Sequence, residues 1–182
     1  MGQYYRRYAL LVWIAGLVVL LDQVTKSWVR SKLAPEEVWI PWLWLEDYLR
    51  IVNWKNEGAS FGFFSQGGSF FLILGFVVIA AILFYFPKVP FQDWSLRASL
   101  ALLAGGILGN TIDRVVQGYV TDFLAVGPIY VFNLADLSNL AGVVILLIGI
   151  GMEEWQKYSS KPERGKESTP SEKVSTREPP EQ

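Results

Sequence analysis

Residues 8–28, YALLVWIAGLVVLLDQVTKSW, decide the fold. From Tyr8 to Leu21 the run carries no charge, and the whole segment matches the roughly 20 residues that a helix needs to cross about 30 Å of hydrocarbon. Its far end then turns polar, with Asp22 and Lys26 four residues apart on one helical face. A cleaved signal peptide is the alternative, but the apolar core is long and no small-x-small cleavage site follows, since Lys32 stands before Leu33 and Ala34. Three more runs qualify as spans, over residues 70–86, 96–112 and 134–152, so the sequence predicts a mainly α membrane protein with four transmembrane helices.

Composition agrees. Of 182 residues 52% are hydrophobic, and the mean hydropathy is +0.29, high for a soluble domain of this size. A net charge of −1 gives no basic surface for nucleic acid. The chain has no cysteine and no histidine, which removes disulfides, thiolate nucleophiles, thiolate or imidazole metal ligands and every scheme built on imidazole. No cofactor and no metal is expected, and proton chemistry falls to Asp, Glu, Lys or Tyr.

Basic residues in short connections set orientation. Arg6 and Arg7 precede the first span, Lys88 and Arg97 bracket the link between the second and third, and Lys157 and Lys161 follow the fourth. Both termini are therefore expected in the cytoplasm. The segment 33–68 between the first two spans is rich in Trp and β-branched residues (Val38, Trp39, Ile40, Trp42, Trp44, Ile51, Val52, Trp54), which suits either a small extracytoplasmic β-cradle or an aromatic belt anchoring a loop at the interface. Residues 1–155 read as a single transmembrane domain. Residues 156–182, dominated by Pro, Ser, Lys and Glu, read as a disordered cytoplasmic tail, too polar to offset the entropy of ordering.

Alternation of the spans brings the ends of the first and third helices to the start of the fourth, and the polar residues cluster there: Asp22 and Lys26, then Asn110, Asp113 and Arg114, then Asn133 and Asp136, with Asp122 in the outer connection. A carboxylate in a spanning helix costs about 2.5 to 3.5 kcal/mol at mid-membrane, so such residues face protein interior or mark function. Asp22 with Lys26 fits an ion pair as well as a functional role, and Asp113 with Arg114 reads as neutralising the end of helix three. Asp122 and Asp136 have no basic neighbour in sequence. Brought together they would share one proton, and such a pair can activate water against an amide carbonyl without Ser or His. A structural role or an ion pathway remains the other reading of the same residues.

Five stretches now matter together: Asp22-Gln23-Val24-Thr25-Lys26; Asn56-Glu57-Gly58-Ala59-Ser60-Phe61-Gly62; Gly105-Gly106-Ile107-Leu108-Gly109-Asn110-Thr111-Ile112-Asp113-Arg114; Gly118-Tyr119-Val120-Thr121-Asp122-Phe123; and Phe132-Asn133-Leu134-Ala135-Asp136. In this order the chain resembles the lipoprotein signal peptidases (signal peptidase II), bacterial membrane aspartic proteases. The resemblance implies Asp122 and Asp136 as the catalytic pair, with Asn110, Arg114 and Asn133 lining the site. It makes Asp22, Lys26, Asn56, Gly58 and Asp113 supporting positions. It further implies a prolipoprotein substrate whose lipobox cysteine carries diacylglycerol, cut on the amino side of that cysteine. Localisation would be the bacterial inner membrane, with the site near the outer face and membrane lipids and substrate as partners of a monomer. Two features depart from the pattern: Asn139, where the family usually has an apolar residue, and the charged tail. Rival readings are a transporter or channel, a Ser-Lys hydrolase using Lys26 with Ser60 or Ser138, and an assembly protein without chemistry.

Overall fold

The computed structural model describes residues 2–58 and 67–159. Part of the second motif, Ala59-Ser60-Phe61-Gly62, and the tail from residue 160 onward lie outside the described residues. Four long apolar helices are present: α1 (Gly2–Lys32), α2 (Gly67–Tyr85), α3 (Trp94–Gln117) and α4 (Leu134–Ser159). All but α2 run past their expected ends. The apolar run marks only the part that must avoid water, whereas the backbone ladder continues beyond it wherever no residue breaks it. So α1 ends at Lys32 rather than 28, α3 at Gln117 rather than 112, and α4 at Ser159, beyond both 152 and the expected domain limit at 155. The sequence does break α2: Pro87 sits in a single 3-10 turn, Phe86–Lys88, where its missing N–H costs nothing. Gly118 closes α3 in the left-handed region at φ 81°, its N–H returning to the carbonyl of Arg114 at 3.1 Å.

Helix α3 is the hub, packed against α1, α2 and α4. Small residues make this approach possible. A side chain at Gly105 would meet Val18 at 2.7 Å and the Ala15 backbone at 3.0 Å, and one at Gly106 would run into the Ala135 carbonyl and the Asn139 amide. Gly105 and Gly106 thus serve close helix packing. At the end of the bundle where α2 stops and α3 starts, Arg97 fastens the helices. Its guanidinium donates to the carbonyls of Val89 (3.0 Å) and Arg7 (2.6 Å) and lies over the rings of Phe86 and Phe91.

The opposite end carries a four-stranded antiparallel sheet of order β1-β2-β3-β4, made of β1 (Val38–Trp39), β2 (Leu49–Asn56), β3 (Val120–Val126) and β4 (Tyr130–Phe132). The cradle expected over 33–68 between the first two spans is thus only half of the sheet, because β3 and β4 come from the link between α3 and α4. The physical reason is that an isolated two-stranded hairpin is marginal in water, and the second hairpin supplies the pairing and the apolar face that the first lacks. Cross-strand pairs share a face, so the register places Trp39, Ile51, Leu124 and Phe132 in one apolar row, with Leu49, Val126 and Tyr130 beside it. Asp122, two residues from Leu124, projects from that same face. The register slips between Ile51 and Trp54; within that irregularity Asn53 donates through Nδ2 to the Leu33 carbonyl at 2.8 Å, which ties the sheet to the end of α1.

Gly105→Val is expected to lower stability by about 1 to 3 kcal/mol through overpacking against α1, whereas Gly16→Ala, where nothing lies within 4 Å, leaves it nearly unchanged. Thermal unfolding of the two variants in detergent checks the contrast, and equal melting temperatures would refute the packing account.

Candidate active site

The site begins with a buried cation. Lys26 Nζ lies 2.8 Å from Asp22 Oδ2 and 3.1 Å from Asp113 Oδ2, all three side chains fully buried, and it donates to Asn110 Oδ1 at 2.9 Å. Two carboxylates therefore enclose one ammonium, and its three donors are used. Asp22 does more than pair with Lys26: its Oδ1 accepts the Ala135 N–H at 2.9 Å, which fixes the first turn of α4. Asp113 accepts the Thr121 N–H at 3.0 Å, which fixes the start of β3. Contrary to the expectation from sequence, Asp113 is not neutralised by Arg114. It turns inward to Lys26, while Arg114 reaches back to the Asn110 carbonyl at 3.5 Å and lies over the Phe71 ring.

From Asn110 the network passes outward. Asn110 Nδ2 donates to Asp136 Oδ1 at 2.8 Å, and Asn133 Nδ2 donates both to Asn110 Oδ1 at 3.1 Å and to Asp122 Oδ1 at 2.6 Å. Asn133 and Asp136 also form a reciprocal cap at the start of α4, the Asp136 N–H donating to Asn133 Oδ1 at 2.9 Å and the Asn133 N–H to Asp136 Oδ2 at 3.2 Å. Asn133 therefore touches both carboxylates. The other oxygen of Asp122, Oδ2, accepts from Asn56 Nδ2 at 2.9 Å; Asn56 Oδ1 in turn takes the N–H of Gly58, whose φ of 79° suits glycine. All the predicted site residues fall in this one assembly except Arg114, which stands at its edge. An open cavity of about 580 Å³, lined in part by Trp54, Asn56, Asp122, Ile129 and Val131, lies against Asp122.

Three contributors were missed. Gln23 donates to Asp22 Oδ2 (3.2 Å), the Gly109 carbonyl (3.1 Å) and Asp113 Oδ1 (3.3 Å). Arg30 donates to Thr121 Oγ1 at 3.0 Å and approaches Asp113 at 3.7 Å. Thr121 itself is buried. The i, i+4 spacing of Arg30 from Lys26 and of Lys26 from Asp22 was the available signal. A Ser-Lys arrangement does not form with Ser138, whose hydroxyl donates to the Leu102 carbonyl at 2.9 Å while Lys26 is held elsewhere; Ser60 lies outside the described residues.

Asp122 is only 2% exposed. Burial is the main cause that pushes its carboxyl from 3.8 up to about 6; the Asn56 amide opposes the rise, and the charge of Asp136 adds to it.

Four spans that enclose a carboxylate and amide centre at one end define a multi-pass membrane protein with a buried polar site. The sequence profile of signal peptidase (SPase) II matches residues 14–152. The lipoprotein signal peptidase of Xylella fastidiosa (strain M12) is 35% identical over 157 residues, 78% of this chain and 87% of that protein. That of Moorella thermoacetica is 37% identical over 154 residues, 85% of this chain and 96% of that protein. A solved bacterial membrane enzyme superposes with a TM-score of 0.71 at 30% identity, over 85% of this chain and 93% of that structure. The chain belongs to the signal peptidase II family of bacterial membrane proteases.

Two measurements probe the site's electrostatics. Lys26→Met strands two buried carboxylates and is expected to cost about 3 to 5 kcal/mol; an unchanged melting temperature would show that the ammonium is not what holds them. Asp122 binds its proton more tightly folded than unfolded, so its contribution is most favourable below about pH 4 and is lost as pH rises through about 6. The loss amounts to roughly 3 kcal/mol at about 1.4 kcal/mol per pH unit. Unfolding free energies at pH 4 and 7 should therefore fall more in the parent than in Asp122→Asn, and parallel profiles would contradict the burial argument.

Proposed function

We propose that this chain removes the signal peptide from diacylglyceryl-modified prolipoproteins, cutting on the amino side of the lipidated cysteine, with Asp122 and Asp136 activating water as a general acid and base pair. The observation that carries this reading is Asn133 donating to both carboxylates, 2.6 Å to Asp122 and 3.2 Å to Asp136, at the end of a membrane bundle. Family membership supplies the substrate class.

Burial makes Asp122 the holder of the shared proton. Its O–H polarises the scissile carbonyl while Asp136 takes a proton from water. The water oxygen bonds to the carbonyl carbon, the carbonyl π pair moves to its oxygen, and that oxygen receives the Asp122 proton to give a gem-diol. On collapse the C–N bond breaks. The proton held by Asp136 passes to the cysteine nitrogen, and a gem-diol hydroxyl returns its proton to Asp122, which restores the starting state. The amides of Asn56, Asn110 and Asn133 fix the oxygens throughout, so little reorganisation is left for the reaction itself.

The depth of the site suits a lipid-anchored bond. Asp136 opens a transmembrane helix and Asp122 lies on the apolar face of the sheet at that end of the bundle, so acyl chains can remain beside the helices while the peptide bond reaches the acids. The distribution of basic residues supports cytoplasmic termini and a site near the outer face. The chain acts as a monomer, with the four helices and the sheet as its peptidase domain and the polar tail that follows α4 in the cytoplasm.

Gel-shift cleavage of a lipidated precursor by the purified protein tests the proposal. Asp122→Asn and Asp136→Asn should each lower kcat at least about 100-fold, the lower range of general acid and base catalysis. If both variants fold and cut like the parent, the pair is not catalytic.

A further inference from the structure

The turn that joins β1 to β2 is built unlike a soluble hairpin. Residues 38–45, VWIPWLWL, contain no charge, and Glu46 and Asp47 follow at once. Leu43–Leu45 form one 3-10 turn that holds its first two side chains outward, with Leu43 81% and Trp44 78% exposed and Trp42 exposed beside them. Left in water, such a tip forfeits the gain of burying two indoles and a leucyl side chain. Single exposed apolar residues need no explanation, but three in succession at the tip of a turn do.

The tip extends a surface that is continuous with a membrane-spanning helix. Trp28, in the last turns of α1 and itself exposed, meets Trp39 of β1 with ring centroids 5.8 Å apart. From Trp39 the apolar row continues through Ile51 and Leu124 to Phe132. Trp28 thus joins an exposed flank of a membrane-spanning helix to the Trp39 row on one face of the sheet, and the Trp42–Trp44 turn stands at the β1–β2 end of that face. Indole rings, apolar with one hydrogen-bonding edge, partition to the boundary between headgroups and acyl chains. The abrupt change from this apolar turn to Glu46-Asp47 matches the change from acyl chain to water.

We propose that the Trp42-Leu43-Trp44 turn inserts into the lipid leaflet on the sheet's side of the membrane and acts as a depth stop, holding the sheet face that carries Asp122 at the height of a lipid-anchored substrate. Insertion rests on the membrane fold. The depth-stop role also rests on the proposed peptidase activity.

The chain has no cysteine, so Leu43→Cys and, as the polar comparison, Asp47→Cys each take one nitroxide label at a chosen position. In vesicles of phosphatidylcholine and phosphatidylglycerol, the label at 43 should collide with oxygen more than with a water-soluble nickel chelate, at a depth of about 5 to 10 Å, and the label at 47 should show the reverse. Equal nickel access at the two positions overturns insertion. Nickel access at 43 that disappears only when precursor is added also overturns it, and assigns the turn to the substrate protein instead. In the same vesicles Leu43→Ser with Trp44→Ser should raise KM for a bilayer-embedded lipidated precursor about tenfold with kcat unchanged, equivalent to about 1.4 kcal/mol of lost binding. In detergent the two proteins should match. An inserted label with unaltered KM in vesicles overturns the depth stop, and because the labels report without turnover, an inactive parent protein would count against the catalytic reading alone.

Discussion

One ammonium between two carboxylates, sealed from water, is the constraint on which the rest of this structure depends. Lys26 joins α1 to α3 through Asp113 while pairing with Asp22 in its own helix. In a low-dielectric interior none of the three charges survives alone, since the desolvation of each is offset only by the others. Their remaining hydrogen-bonding capacity is what organises the molecule: Asp22 receives the first turn of α4 and Asp113 receives the first strand residues after α3. A charge cluster that looks costly thus defines where two other elements begin.

Around that cluster the polar groups are arranged by reach. The ammonium is innermost, the amides of Asn110 and Asn133 come next, Asp122 and Asp136, proposed as catalytic, follow them, and Asn56 stands beyond Asp122, where both line an open cavity. Amides suit the middle layer because each both donates and accepts, so they relay orientation without adding charge. Asn133 has a double duty as helix cap and as donor to Asp122, and this is why a single backbone turn can align groups from α3, α4 and the sheet.

Much of this was legible in the sequence, for identifiable reasons. The helices were readable because a bilayer demands about 20 apolar residues in a row, and the site because intramembrane acids and amides are too costly to be scattered at random. The ends of the helices were not readable, since nothing polar after Trp28, Ile112 or Met152 obliges a helix to stop. Strand β3 was missed because Asp122 interrupts an otherwise strand-like VTDFLAV with a charge that only a buried partner explains. The pairing of Asp113 with Lys26 rather than with adjacent Arg114 depends on helix rotation, which spacing along one helix does not reveal. Asn139, singled out as unusual, faces Gly106 between α3 and α4, in a packing seam and not in the polar network.

The reciprocal cap at Asn133 and Asp136 has a consequence for biosynthesis. Both acids reach the polypeptide exit late, Asp122 just after the third helix and Asp136 with the fourth, and the one residue that bonds both, Asn133, sits at that helix start. A nascent chain with three spans inserted holds the ammonium and its two counter-ions but no centre. On the catalytic reading proposed above, the centre is complete only once β3, β4 and the first turn of α4 have joined it.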